Sequence, residues 1–233
     1  MKAGLRETIT SRGFWRVNFR PTTYRANILT LNECRTLVEK NSVEKRGWDY
    51  PHVPSRQDAN GGMELLNNCV QGWVDWSYFR ELWRMYQSGQ FIHLAAIRND
   101  WSELDEFPPS RLRPGQENSL EILDALYEVS EMLEFLSRLA NGGIYDGGAE
   151  VSISLVNTKG RSLTSDRGPM SIRTTEAEAI QFDKVFSRAE IALPRECAFD
   201  VVTYLFDRFG WNPAADQVRS MQDSFYAMNL GRG

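Results

Sequence analysis

Histidine is almost missing from this 233-residue chain, which holds only His52 and His93. The two are not at HExxH spacing, and no cysteine is near them in sequence. A zinc site would need several distant groups to converge, so no metal site is expected. Cysteine is scarce as well. Cys34, Cys69 and Cys197 are far apart, odd in number and lack any CxxC pair, which argues against a disulfide framework and fits a reducing cytosol. Lysine is sparse at five residues against 22 arginines. Arginine suits planar, bidentate and stacked contacts. No apolar run approaches the roughly 20 residues a membrane helix needs. Met1 to Gly13 has no apolar core for a signal peptide. The expectation is a cytoplasmic protein with no membrane contact.

Catalytic signatures are absent too. There is no GxxxxGK[ST] phosphate loop, no GxGxxG after a strand and no GxSxG elbow. The glycine-rich run Gly142 to Gly148 follows a helix, and so faces the negative end of its dipole, the wrong end for phosphate. No Asp/Glu-x-Lys tripeptide marks a carboxylate-plus-lysine nuclease. Asp49, Asp75, Glu81 and Asp100 could supply carboxylate pairs, but such sets occur in any globular protein. Neither a catalytic residue nor a cofactor is assigned from the sequence.

Charge is unevenly spread. The whole chain carries −4, which argues against a general nucleic-acid coat. Residues 1–115 hold 16 basic and 13 acidic residues, and residues 116–233 hold 11 and 18. The sign therefore reverses near Ser102 to Asn118, a charged stretch with three prolines that reads as a linker. Two organisations follow: a single α+β domain over 1–233, or a Trp/Arg-rich lobe at 1–101, a Pro-rich linker at 102–118 and an acidic α+β lobe at 119–233.

Periodicity supplies the elements. Phe14 to Phe19 alternates, with Trp15, Val17 and Phe19 on one face, and Pro21 ends that strand. Thr30 and Glu33 form a capping-box pair ahead of a short helix. A strand ending in a turn is expected around Arg46 to His52, a loop over Ser55 to Gly62, and one or two strands over 63–76. Phe79, Leu82, Trp83 and Tyr86 recur at helical spacing, so a helix is expected from Ser77 to Gly89. Gln90 to Arg98 is apolar on both faces and reads as a central strand, with His93 a buried histidine. Asn118 and Glu121 read as the cap of a long helix with a stripe of Ile122, Leu126, Val129, Leu133 and Leu136, stopped at Asn141-Gly142-Gly143. Glu150 to Val156 is an amphipathic strand. A polar stretch over 161–177 follows, then one strand or a bent pair over Ile180 to Leu193. Pro194 opens a helix that Gly210 stops, and the tail from Pro213 reads as weakly helical at most. The order β-α-β-β-α-β, then α-β-β-α, predicts an α+β fold with a mixed or antiparallel sheet and helices on one face.

One region concentrates aromatic and guanidinium groups. Residues 46–101 hold five of the seven tryptophans. Arg46, Trp48, Asp49, Tyr50, His52, Trp73, Trp76, Arg80 and Arg84 are the candidate binding residues. Such groups can grip a peptide, form an interface hot spot or stack a base; packed inward, the same residues would form a Trp-rich core with snorkelling arginines.

The segments Phe14-Trp15-Arg16-Val17-Asn18-Phe19-Arg20-Pro21, Arg46-Gly47-Trp48-Asp49-Tyr50-Pro51-His52 and Tyr86-Gln87-Ser88-Gly89-Gln90-Phe91-Ile92-His93 resemble those of an uncharacterised group of bacterial proteins. That resemblance implies a prokaryotic cytosolic origin and transfers no activity.

Three functions are expected in descending order. The first is a non-enzymatic binding module or accessory subunit of a bacterial multi-protein assembly, of the defence or stress-response type, engaging a partner protein or a second copy. The second is a nucleotide or single-stranded nucleic-acid binder. The third is a metal-dependent hydrolase or nuclease built on His52, Asp49 and a distant carboxylate.

Overall fold

The computed structural model describes residues 1–77, 79–104, 118–165 and 173–228. A short helix, α1 (Leu5–Thr10), leads into strand β1 (Phe14–Pro21). Trp15, Val17 and Phe19 are buried while Arg16 and Arg20 face outward, as alternation requires. Helix α2 (Leu31–Asn41) starts at the expected capping box: the Glu33 amide donates to Thr30 Oγ1 at 3.2 Å, and the Thr30 amide to Glu33 Oε2 at 2.7 Å. A small hairpin, β2 (Val43–Glu44) with β3 (Asp49–Tyr50), follows.

Four strands then form an antiparallel meander: β4 (Gly61–Leu65), β5 (Cys69–Trp76), β6 (Phe79–Tyr86) and β7 (Phe91–Ala96). After a 3-10 helix (Arg98–Leu104) come β8 (Ser119–Glu121), α3 (Ile122–Asn141) and β9 (Ala149–Val156). The chain ends with β10 (Ser162–Thr164), β11 (Arg173–Thr174), β12 (Ala179–Phe186), α4 (Arg188–Ile191), α5 (Pro194–Arg208) and α6 (Ala215–Tyr226).

The main sheet has the order β12-β9-β1-β7-β6-β5-β4, and every neighbouring pair is antiparallel. β1 pairs with β7 on one side and β9 on the other, so strands from both halves of the chain share one sheet. This is the α+β class with an antiparallel sheet that was expected, but the helices do not keep to one face, because apolar side chains of β5, β6 and β7 on the second face also need cover. Helices α2, α3 and α5 bury one face of the sheet in a core that runs from Trp15 to Phe225. Helix α1 covers part of the opposite face, where Leu5 and Ile9 meet Phe14, Trp73, Leu82, Ala96 and Trp101. No helix among the described residues is long and apolar enough to cross a membrane.

Several sequence expectations are corrected. The stretch from Ser77 to Gly89 is strand β6, not a helix. Both of its faces are covered, Leu82 by α1 and Trp83 and Met85 by the main core. Apolar residues on two faces of one strand happen to fall at three- and four-residue intervals, which mimics a helix. Gly61 and Gly62 lie in β4 rather than a loop. Asn118 does not cap α3; it sits at φ +62°, and Glu121 caps the helix with its own carboxylate, which accepts from the Asp124 amide at 2.8 Å. The expected strand over 180–193 stops at Phe186 and gives way to α4. The tail forms a 12-residue helix, α6, whose Val218, Met221 and Phe225 are buried. Most of the expected linker, residues 105–117, lies outside the described residues.

Two close approaches fix the sheet. Gly72 on β5 faces Trp83 on β6, and a Cβ there would stand 2.2 Å from the indole ring. Gly13 lies against Arg161 and Asp100, and a Cβ there would stand 2.0 Å from Arg161 Nη2.

Candidate functional site

The pleat of β5 and β6 sorts the aromatic-rich region onto two faces. Trp76, Phe79, Glu81 and Trp83 face the helices; Trp73, Asp75, Arg80 and Leu82 face α1. The β2–β3 hairpin folds over the end of the first face and adds Arg46, Trp48, Asp49 and Tyr50. Helix α3 supplies Glu128 and Glu131, β7 supplies His93, and the 3-10 helix begins with Arg98. These groups enclose a cavity of about 50 Å³.

Most of the charges around this cavity are matched. Arg46 grips Glu131 bidentately, with Nε to Oε1 at 2.9 Å and Nη2 to Oε2 at 2.6 Å. His93 donates from Nε2 to Glu81 Oε2 at 2.7 Å, and Trp48 Nε1 donates to Glu81 Oε1 at 3.2 Å. The Tyr50 hydroxyl lies 3.2 Å from His93 Nδ1. His52 Nδ1 pairs with Asp49 Oδ1, and the other oxygen of Asp49 accepts from the Val53 amide at 2.9 Å. Buried charges need such partners. Burial alone would raise the Glu81 carboxyl, but the hydrogen bond and charge of His93, with His52 and Trp48, hold it below the usual carboxylate range. Burial would lower His52, yet its bond to Asp49 and the charges of Asp49 and Glu81 leave it raised.

Glu128 behaves differently. It is half-buried and has no hydrogen bond or ion pair among the described residues. Burial pushes its carboxyl up to about 7, against the lowering pull of Arg46 and Arg98. The Arg98 guanidinium, 4.2 Å above the Phe79 ring, also has no hydrogen-bonded partner among the described residues.

An aromatic column crosses the mouth of this cavity. Trp48 stacks at 4.0 Å with His52 and at 4.0 Å with Phe79, and Trp76 lies 6.0 Å from Trp48. Trp76 is 55% exposed. Beside it opens a groove of about 290 Å³ that Trp48, His52, Pro54, Arg56, Asn60 and Trp76 line.

The expected site residues therefore divide. Arg46, Trp48, Asp49, Tyr50, His52 and Trp76 come together at one end of the sheet. Trp73 does not join them: it is buried beneath α1. The Arg80 guanidinium turns to that same face, where it pairs with Asp75 at 2.9 Å and covers Trp101. Arg84 bonds Gln71 at 2.7 Å, further along that same face. Residues three apart on a strand point to opposite sides, so Trp73 and Trp76 could not share a surface. Sequence reading missed Phe79, Glu128 and Glu131 as site residues. The available signal was Asp124, Glu128 and Glu131 at intervals of four and three, an acidic stripe along a helix otherwise read by its apolar face.

Among the described residues no group of three His, Cys, Asp or Glu side chains is placed to hold a metal ion. All three cysteines are buried and free, and burial raises their thiols. No protein-family model, curated protein or solved structure matches this chain.

Proposed function

We propose that the protein is a non-enzymatic recognition module, an accessory subunit of a cytoplasmic assembly, which docks a partner protein against Trp76 and the adjoining groove. The observation that carries this reading is Trp76 itself, a large side chain 55% exposed on a column of stacked rings. A rigid aromatic group held at the lip of a groove is the usual anchor of an interface, because its area is offered with little loss of rotamer freedom. The groove sides mix apolar Pro54 and Val74 with Ser55, Arg56, Asp58 and Asn60, which suits an extended peptide segment that places one apolar side chain beside Trp76 and returns hydrogen bonds around it. Base stacking is less well supported, since Trp48 already carries two stacked neighbours and the chain is net acidic.

The test is display selection of random peptides on the wild-type protein, with Trp76→Ala as counter-selection. Enriched sequences with a shared apolar anchor, lost on Trp76→Ala, support docking. Enrichment that is indifferent to Trp76 refutes it.

A second reading has one observation in its favour: His52 and Asp49 do pair, with Glu81 close enough to act on His52 by its charge. A hydrolase built on them predicts turnover of ester or phosphodiester substrates that His52→Ala abolishes while folding is kept.

A further inference from the structure

The groove beside Trp76 is bounded by groups that decide which backbone conformation it accepts. β4 lies along it and is the last strand of the main sheet on that side. Its outer edge is already taken: the Asp58 amide donates to the Gly61 carbonyl at 2.9 Å, and the Met63 amide to Gln57 Oε1 at 2.9 Å. The amides of Asn60 and Gly61 are spent on Asp58 Oδ1 at 2.8 Å and 3.2 Å, and the Asn60 carbonyl accepts from the Asp75 amide at 2.8 Å. An incoming chain finds no open ladder of backbone groups here, so it is not added as a further strand.

The groove offers side chains instead. Trp76 Nε1 and the Arg56 guanidinium are donors only, and neither has a hydrogen-bond partner among the described residues. The rings are held fast, for Trp48 stacks with both His52 and Phe79, and Trp76 lies against that column, 6.0 Å from Trp48 and 6.5 Å from Phe79. A ligand that suits this wall brings acceptors and apolar rings. A helix spends its carbonyls on its own amides, and a strand needs an open edge. Polyproline II leaves every carbonyl free, and proline has no amide donor to leave unmatched.

We propose that the groove binds a proline-rich segment in the polyproline II conformation, with an acidic residue at one end. This rests on the docking reading above and narrows its partner. A pyrrolidine ring packs on the exposed indole of Trp76, a neighbouring carbonyl accepts from Trp76 Nε1, and the acidic residue meets Arg56. The groove of about 290 Å³ has the volume of roughly ten waters at about 30 Å³ each, enough for one proline and its flanking peptide groups. Such a segment is ordered before it binds, so it gives up little chain entropy.

Fluorescence anisotropy on the full chain tests this, with a labelled oligoproline that carries one terminal glutamate as the probe. Controls of equal length and end charge are an alternating Val-Thr peptide, an alanine-rich helical peptide and a Gly-Ser peptide. Saturable binding of the oligoproline is expected, with each control about tenfold or more weaker. Trp76→Ala should weaken it by about tenfold or more, as for an interface anchor. Trp76→Phe, which keeps a ring and loses the N–H, should weaken it about two- to tenfold, as for one hydrogen bond. Arg56→Ala should erase the preference for glutamate over lysine at the peptide's end. Should a Trp76 variant fail to melt cooperatively, the peptide series on the wild-type protein decides alone. Oligoproline that binds no better than the Gly-Ser peptide, or equally well to Trp76→Phe, overturns the proposal. If peptides selected through Trp76 then carry no proline, docking stands and only the conformation assigned here falls; if no Trp76-dependent peptide emerges, both fall.

Discussion

Arg161 offers the sharpest test of how this fold is held together. Its side chain is 1% exposed, and Asp100 opposite is 6% exposed. The guanidinium donates to Asp100 Oδ1 at 2.8 Å, to Asp100 Oδ2 at 2.5 Å and to the Ser119 carbonyl at 2.9 Å. The Gly13 amide donates to Asp100 Oδ2 at 2.8 Å. One ion pair thus ties the entry to β1, the 3-10 helix, β8 and the approach to β10. Arg161→Met keeps much of the volume but strands the Asp100 carboxylate in a dry site. Removing one partner of a buried pair costs about 3–5 kcal/mol. The exposed pair Arg20–Glu150, 2.5 Å apart with side chains 57% and 40% accessible, sets the contrast, since exposed pairs contribute about 0–1 kcal/mol. Urea unfolding followed by tryptophan fluorescence measures both. The double variant Arg161→Met/Asp100→Leu is expected to recover most of the loss, because neither charge is then left to desolvate. If Arg161→Met loses less than about 1 kcal/mol, or if the double variant is worse than the single one, the buried-charge reasoning is wrong.

Other perturbations separate the remaining claims. Gly72→Ala would drive a methyl into the Trp83 ring, with an expected loss of about 1–3 kcal/mol; a melting temperature equal to wild type would contradict the close approach. Trp73→Ala should cost about 3–5 kcal/mol as a buried truncation, whereas Trp76→Ala should stay within about 0.5 kcal/mol as a surface change, and urea titrations giving equal losses would show that the two faces are misassigned. The Glu128 carboxyl is raised from 4.5 to about 7, so its contribution to stability is present in full below pH 4.5 and is lost as pH rises through 7. Glu128→Gln should therefore gain on wild type by about 1–3 kcal/mol at pH 8, discounted for partial exposure, and by nothing near pH 4; an advantage independent of pH would sink the assignment.

How much of this could be read from the residues depended on how many faces of an element are covered. β1 was legible because its covered face is that of Trp15, Val17 and Phe19, and α3 because its apolar stripe is long. β6 was not, because α1 covers Leu82 while the core covers Trp83. α6 was missed since Val218, Met221 and Phe225 form a thin stripe that becomes persuasive only against α3 and α5. At the site, residues 46–52 were legible as one turn-borne group, and Trp48, Asp49, Tyr50 and His52 do converge. Arg80 and Arg84 were misplaced for the same reason β6 was: a helix at that position would have put them on one face beside the tryptophans, whereas a strand turns them away from the cavity. Trp73 was misplaced for another reason: on β5 it stands three residues from Trp76, and so on the opposite face.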